Sequence, residues 1–276
     1  MLGPTAHLDS FTRDNLPSED AQPDFLLEGF DYPPYLNVGV ELTDRMVEKG
    51  FGDHTALIFG DTRLSYRDFN AAINRLANAM LSDGIAKRDK VATILPYCIE
   101  LMTLYWAAAK IGAVVVPSST LLQAAGLKTL LVKSDCVCVF STPAFAATLN
   151  AVRADAPAVG EGRWVLTGEG ADGFRTFEDF VGDASDTEPP DAGIDGEDPY
   201  NIIYSSGTTG EPKGIVHTHR VRGNYCTIFA TAWRMTPESV AAPLVITTIL
   251  LAQSAALYAL SAPLAKHAQG ASGLPS

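Results

Sequence analysis

The residues best suited to do chemistry lie between Tyr204 and Gly214, in the stretch Tyr-Ser-Ser-Gly-Thr-Thr-Gly-Glu-Pro-Lys-Gly. Glycines allow positive φ angles and a close approach of the backbone to a ligand, and consecutive exposed N–H groups form a concave anion site. Hydroxyls add donors, and a lysine adds a full positive charge on a flexible stem. We therefore predict that this loop holds a polyphosphate. The candidate binding residues are Ser205, Ser206, Gly207, Thr208, Thr209, Gly210 and Lys213.

This loop differs from two common nucleotide-binding motifs. The P-loop has Gly-Lys-Ser/Thr opening a helix, whereas here Pro212 precedes Lys213 and Gly214 follows it. The glycine spacing of the dinucleotide fingerprint is also different. Apolar runs on both sides predict strand, loop, strand. A flexible surface turn between two strands is the alternative, because Gly, Ser, Thr and Pro are ordinary loop residues.

The order of residues in the loop resembles a family signature at every position. The stretch is similar to the phosphate loop of the adenylate-forming enzymes: acyl-CoA and aryl-CoA ligases, luciferases and the adenylation domains of peptide synthetases. Leu64 to Phe69 and Ala109 to Ser118 resemble two further motifs of this family. The opening, Ser10 to Asp44, resembles the aryl-CoA branch, such as benzoate and aminobenzoate ligases, with the fatty-acyl-CoA ligases close behind.

The resemblance implies a two-step activation of a carboxylic acid. The carboxylate attacks the α-phosphate of ATP, giving an acyl-adenylate and pyrophosphate, and the thiol of coenzyme A then displaces AMP. The first step brings two anions together and so implies Mg²⁺ and cationic or N–H donors around the phosphates. By resemblance, Ser205 to Lys213 would hold the β- and γ-phosphates, with Thr208 and Thr209 nearest to them. Lys213 would be an anchor and not the catalytic lysine, so no residue is assigned a catalytic role.

The sequence also departs from the family. Its members are much longer, and they carry a Tyr-Gly-x-Thr-Glu motif, an aspartate for the ribose and a small C-terminal domain with the catalytic lysine. None of these follows Gly214. Gly126 stands where the relatives usually have an acidic residue, and we expect the likeness to end near Val240. A truncated or frame-shifted ligase with weak or no activity is one hypothesis. A non-catalytic protein that uses the domain to bind nucleotide or a partner is the other.

Composition sets further limits on the class of protein. A length of 276 residues with 47% hydrophobic side chains is sufficient for a large core. A net charge of −12 argues against non-specific binding of nucleic acid. The four cysteines match no zinc pattern, and Cys136 and Cys138 are expected to be buried on one strand face. A polar N-terminus without an apolar segment favours the cytoplasm.

Apolar strands alternate with helices along the chain, which predicts an α/β fold with mostly parallel sheets flanked by helices. By resemblance this would be the incomplete large N-terminal domain of an adenylate-forming enzyme. The expected division is an irregular lead-in (1–37), a first α/β subdomain (38–182), an acidic linker (183–199), the start of a second α/β subdomain with the phosphate loop (200–239) and an uncharged tail (240–276) that does not resemble the family.

Two features of the last eighty residues have competing interpretations. His217 and His219 would share a face of a strand, and ordinary strand-end histidines are favoured over a metal or base site. Leu244 to Ala262 is long enough to span a bilayer, but its polar residues and the lack of flanking basic residues argue against a membrane anchor. A buried or poorly folded tail is the favoured interpretation.

Overall fold

The structure is a computed structural model that describes residues 35–205, 212–236 and 239–240. A seven-stranded sheet with helices around it forms most of this part, and a separate two-stranded sheet precedes it. The strands are β1 Thr55–Phe59, β2 Thr62–Ser65, β3 Lys90–Ile94, β4 Val114–Pro117, β5 Cys136–Ser141, β6 Trp164–Leu166, β7 Arg175–Thr176, β8 Pro199–Ser205 and β9 Lys213–Thr218. The α-helices are α1 Val38–Glu41, α2 Asp44–Met46, α3 Tyr66–Ser82, α4 Ile99–Ile111, α5 Ala124–Ser134, α6 Ala146–Val152, α7 Phe177–Val181 and α8 His219–Ala232.

The order of the strands in the large sheet is β7-β6-β5-β3-β4-β8-β9. Strands β3 to β8 pair in parallel, and β9 pairs antiparallel with β8 at one edge. The middle strands β3, β4 and β5 are almost entirely buried, as expected for a parallel sheet with helices on both faces. The predicted fold class, an α/β protein with a mostly parallel sheet flanked by helices, is therefore confirmed.

Helix α3 shows how local sequence sets an element. Ser65 caps its first turn, because its Oγ accepts a hydrogen bond from the Asp68 backbone N–H at 3.1 Å. The helix then buries one face against the core, through Phe69, Ile73, Leu76 and Met80. The capping serine and the apolar residues at helical spacing are both visible in the sequence.

Helix α4 lies inside the molecule. Nearly every residue from Leu101 to Ile111 is buried, which agrees with a sequence that is apolar on nearly all faces. Gly112 ends the helix in the left-handed region, with φ +74°. Only glycine adopts that conformation routinely, which explains why the helix ends at this residue.

One charged side chain of α4 is fully buried. The Lys110 ammonium pairs with the Asp44 carboxylate of α2, and both side chains are almost inaccessible. Its Nζ also donates to the side-chain oxygens of Asn70, at 2.7 Å, and Asn74 of α3. The two amides in turn donate to the Asp44 carboxylate. This network joins three helices, and burial lowers the pKa of Lys110 although Asp44 opposes that effect.

Two regions differ from the sequence prediction. The sequence from Val38 to Lys49, followed by Gly50, predicts a single helix, but the structure divides this region into α1, α2 and a π-helical turn at Val47–Phe51, with Gly50 at φ +93°. The segment Glu178 to Asp198, which contains most of the predicted acidic linker, carries only acidic charges, and this pattern predicts a solvated segment. It begins within α7, and it ends in a buried Asp198 carboxylate that pairs with two basic side chains. The sequence of an acidic segment does not indicate which of its carboxylates pairs with a basic residue that is distant in the chain.

The strands on either side of residues 183–199 belong to the same sheet, since β8 pairs with β4 at Val115 and Asn201. None of the helices in the described ranges is long and apolar enough to cross a membrane. The stretch Leu244 to Ala262 lies outside those ranges, as do residues 1–34 and the tail after Val240.

Candidate polyphosphate-binding hairpin

Strands β8 and β9 form an antiparallel hairpin that carries the candidate loop. Ser205 pairs with Lys213, and Tyr204 pairs with Gly214, so the two predicted flanking strands are confirmed. The hairpin becomes more exposed toward its tip, where both Ser205 and Lys213 are solvent-accessible. A hydroxyl and an ammonium group are thus held opposite each other at the two ends of the loop.

The rest of the predicted site lies outside the described residues. Ser206, Gly207, Thr208, Thr209 and Gly210 belong to 206–211, of which the structure gives no description. Their role in phosphate binding stays a prediction. Ser205 and Lys213 are the two predicted binding residues that the structure places.

Gly214 is a glycine because its neighbours lie too close for a side chain. A Cβ at this position would be 2.9 Å from Ile202 Cγ2 and 3.3 Å from Cζ of the Tyr204 ring. Gly214 lies within β9 and is absent from the glycines with positive φ in the described ranges. Gly214 therefore does not use the positive φ that a glycine allows, and its hydrogen atom instead makes room for the ring of its cross-strand partner.

The base of the hairpin is attached to helix α8 through one guanidinium group. Arg222 is buried in the first turns of the helix, and its Nε and Nη2 donate to Asn201 Oδ1 on β8 at 3.1 and 2.8 Å. Its Nη2 also donates to His217 Nδ1 on β9 at 3.0 Å. Asn201 and His217 are direct partners in the ladder, so one planar group contacts both strands at the same level.

Aromatic rings surround this guanidinium. Arg222 Cζ lies 5.6 Å from the centre of the Tyr200 ring and 5.4 Å from that of Tyr225, and Tyr105 stacks on Tyr200 at 6.4 Å. Among the described residues no carboxylate forms an ion pair with Arg222, and burial lowers its pKa. Cation–π contacts and neutral acceptors therefore stabilise a buried positive charge here.

The two histidines have different positions and neighbours. His217 lies in β9, whereas His219 opens α8, so the expectation that they share a strand face is wrong because the strand ends at Thr218. His219 Nδ1 accepts from the Val38 N–H at 3.2 Å, and its ring is fully buried. Burial lowers the pKa of both histidines to about 4, with the charge of Arg222 as a second cause for His217. Both rings are neutral at pH 7, with the remaining proton on Nε2.

The start of α8 is attached to the main body of the sheet through Asp198. Its carboxylate pairs with Lys87 at 2.6 Å and Arg88 at 3.0 Å, and its backbone oxygen accepts from the His219 N–H. Burial would raise the pKa of Asp198, but hydrogen bonds from Lys87, the Asp195 N–H and Arg88 outweigh it and lower that pKa. The hairpin and α8 therefore have fixed positions against β3 and β4.

Sequence reasoning did not identify the contacts of Arg222. One signal was present: Arg222 shares a helix face with Tyr225 and Cys226, at spacings of three and four residues. A charged residue within such a stripe indicates a buried polar contact. Its partners cannot be identified from the helix alone, because they lie on two strands and become adjacent only through the register.

A family model and several curated ligases match this chain. The family model described as AMP-binding enzyme matches residues 45–267, so the match continues past Val240. A long-chain-fatty-acid–CoA ligase of Mycobacterium tuberculosis is 39% identical over 160 residues, which cover 58% of this chain and 30% of that protein. A 3-hydroxybenzoate–CoA/4-hydroxybenzoate–CoA ligase of Thauera aromatica is 29% identical over 191 residues, covering 67% of this chain and 35% of the ligase.

Solved structures show the same architecture. An anthranilate CoA ligase in complex with anthranoyl-AMP superposes with a TM-score of 0.69 at 26% identity, covering 74% of this chain and 39% of the other. A putative long-chain-fatty-acid CoA ligase from Rhodopseudomonas palustris gives a TM-score of 0.71 at 25% identity, covering 82% and 56%. The chain spans about a third of the length of the curated relatives that it matches. It belongs to the AMP-binding enzyme family, whose relatives here are acyl-CoA and aryl-CoA ligases.

Proposed function

We propose that the β8–β9 hairpin binds the polyphosphate of ATP, as part of an enzyme activity that converts a carboxylic acid to its acyl-adenylate and then to a coenzyme A thioester. The observation that carries this proposal is the hairpin itself. It holds Ser205 and Lys213 opposite each other at the ends of a loop rich in glycine and hydroxyl groups. The family match over residues 45–267 supports the reaction class.

The described ends of the loop fit a phosphate chain. Lys213 is exposed and, among the described residues, forms no ion pair, so its ammonium group is available to an anionic ligand. Ser205 is exposed and can donate from its hydroxyl. Thr208 and Thr209 would add hydroxyl donors between these ends, and Gly207 and Gly210 would allow the backbone N–H groups to turn toward the ligand.

This arrangement would help the first chemical step by reducing repulsion. A carboxylate that attacks the α-phosphate approaches a triphosphate with several negative charges. Donors and one cation at the β- and γ-phosphates stabilise the pyrophosphate that leaves. Mg²⁺, when bound, would supply further positive charge at the same oxygens. Lys213 serves here as an anchor for the leaving group and takes no part in proton transfer.

The extent of turnover by these 276 residues is a separate proposal. We propose that these residues bind ATP with weak or no turnover. The second candidate is nucleotide or partner binding without catalysis, which the same hairpin would also support. We further propose an aromatic or fatty carboxylic acid as substrate and the cytoplasm as the location.

The binding proposal is tested by substitution at the tip of the hairpin. We expect ATP with Mg²⁺ to raise the melting temperature of the wild-type chain, because a ligand at 100 times its Kd adds about 2.7 kcal/mol of stability. Lys213→Ala should weaken ATP binding about tenfold, through loss of one charge-assisted contact. Lys49→Ala, at another exposed lysine, is the matched control and should bind as the wild type does.

Isothermal titration calorimetry gives the affinity of each variant. Equal affinity in the Lys213 and Lys49 variants, or no response of the wild type to ATP, would contradict the proposal. Release of pyrophosphate with a panel of benzoates and fatty acids then separates the two candidates. Release with one class of acid supports a ligase, and ATP binding without release supports the binding protein.

A further inference from the structure

We propose that Arg222 is a positioning residue for the phosphate-binding loop: its guanidinium fixes both strands of the β8–β9 hairpin against helix α8. This inference rests on the proposed function, since it concerns the same loop. Arg222 would act through the hairpin and would not itself contact the ligand.

Arg222 contacts both strands of the hairpin. Its donors contact Asn201 Oδ1 on β8 twice and His217 Nδ1 on β9 once, all within 3.1 Å. Because Asn201 and His217 are ladder partners, the guanidinium bridges the pair from the side of the helix. A lysine has a point charge in place of a planar fork and cannot reproduce these contacts together.

Burying the charged Arg222 side chain costs free energy. The Arg222 side chain is 2% exposed, it has no carboxylate partner among the described residues, and the Asn201 amide nitrogen is buried without a hydrogen-bond partner. A well-packed apolar residue at such a site is often neutral or more stabilising than a buried charge. Packing alone therefore does not explain why this residue is an arginine. Its directional hydrogen bonds to both strands explain it.

The ladder between β8 and β9 connects the contacts of Arg222 to the two ends of the loop. In the described part of the sheet, β9 is an edge strand with β8 as its partner, so less backbone bonding holds it than holds a central strand. Four ladder steps separate the Asn201–His217 pair from the Ser205–Lys213 pair, a distance of about 13 Å at the rise of an antiparallel strand. Fixing the pair at the base thus limits how far the two ends of the loop can separate.

The test uses the full chain and two probes, ATP with Mg²⁺ and inorganic tripolyphosphate with Mg²⁺. Tripolyphosphate reports on the loop without any contribution from adenosine. The variants are Arg222→Met, Arg222→Lys, Asn201→Ala and the double variant Asn201→Ala with Arg222→Met. Arg220→Met is the matched control, because Arg220 lies on the same helix, is partly exposed and pairs with Glu197. Affinities are measured well below the melting temperature of each variant that folds.

We expect Arg222→Met and Arg222→Lys each to bind both probes about tenfold more weakly, whereas Arg220→Met binds as the wild type does. The double variant should be no weaker than Arg222→Met, because both changes break one contact. Hydrogen exchange supplies a readout that simple destabilisation would not give. Backbone amides at Ile203 and Ile215 should exchange faster in the Arg222 variants, relative to amides of β3 and β5 in the same sample.

Three results would overturn the inference. Arg222→Lys or Arg222→Met could keep wild-type affinity for both probes. The hairpin could exchange no faster than β3 and β5. Asn201→Ala, which leaves Arg222 in place and covers the case in which the Arg222 variants do not fold, could bind both probes as tightly as the wild type. If the wild type itself binds neither probe, the proposed function fails, and this inference fails with it for that distinct reason.

Discussion

At the scale of single residues, the loop signature combines positions with different physical roles. Lys213 and the hydroxyl residues would contact a ligand, whereas Gly214 makes room for the Ile202 and Tyr204 side chains within the hairpin. The first and last positions of the signature, an aromatic residue and a glycine, are thus explained by one cross-strand contact. Part of the motif specifies the shape of the hairpin and part specifies its chemistry.

Two glycines give opposite predictions for alanine substitution. Gly214→Ala should destabilise the chain by about 1–3 kcal/mol, because the new methyl group overlaps with Ile202 in a fixed strand. Gly126→Ala should stabilise it by about 0.5–1 kcal/mol, since Gly126 lies in α5 and its new neighbour is the mobile end of Leu122. Urea denaturation measures both. Equal changes of one sign in the two variants would contradict this account.

The residues that sequence analysis identified correctly depend on local contacts. Ser65 and Asp68 are three residues apart, so the cap of α3 can be predicted from the sequence. The contact between Val38 and His219 spans 181 residues, and the contacts of Arg222 depend on the register of a ladder. No periodicity in the sequence contains that information, so these contacts could not be predicted from the sequence.

At the scale of elements, the buried ion pair between α2 and α4 is the clearest long-range constraint. Removal of Lys110 alone would leave the Asp44 carboxylate buried without its partner. The cost of such a change is the penalty of an uncompensated buried charge, and not the loss of one contact.

We therefore expect Lys110→Met to lower the free energy of unfolding by about 3–5 kcal/mol. The double variant Lys110→Met with Asp44→Leu should be more stable than Lys110→Met alone, since both charges are then absent. Guanidinium denaturation of the wild type, the two single variants and the double variant forms a complete cycle. If the double variant lost as much free energy of unfolding as the two single variants together, or more, the burial of unpaired charge would not be the main cause of the destabilisation.

Element type was largely predictable, and the exceptions have a common cause. The strong apolar pattern identified β3, α4, β4 and β5 within a few residues. The short strand β7 and the division into α1 and α2 were not identified, because segments of two to four residues are too short to show a repeating pattern. The strand order cannot be read from the pattern at all, since it depends on crossovers.

At the scale of the whole molecule, the buried His219 and the half-buried His217, both neutral, make stability depend on pH. Their pKa values are about 4 in the folded chain, below the ordinary value of 6.5. Between these values the unfolded chain binds more protons than the folded chain. Their contribution to stability is therefore complete above pH 6.5 and is lost as the pH falls toward 4.

We expect the free energy of unfolding to decrease as the pH is lowered from 6.5 to 4, with a smaller slope in His219→Asn. Asparagine can still accept the Val38 N–H through its side-chain oxygen but does not titrate. His54→Asn, at an exposed histidine, is the control and should keep the slope of the wild type. Chemical denaturation across the pH series measures this effect, and an unchanged slope in His219→Asn would refute it.

The order of the strands has a consequence for biosynthesis. Strands β3 to β7 come from one continuous stretch, residues 90–176, and already form a parallel sheet with an open side at β4. The hairpin that would bind the nucleotide starts at Pro199 and pairs with β4 on that open side after β3 to β7 have been synthesised. A ribosome releases the chain from its N-terminus, so a nascent chain can complete its scaffold before the ligand-binding part leaves the exit tunnel.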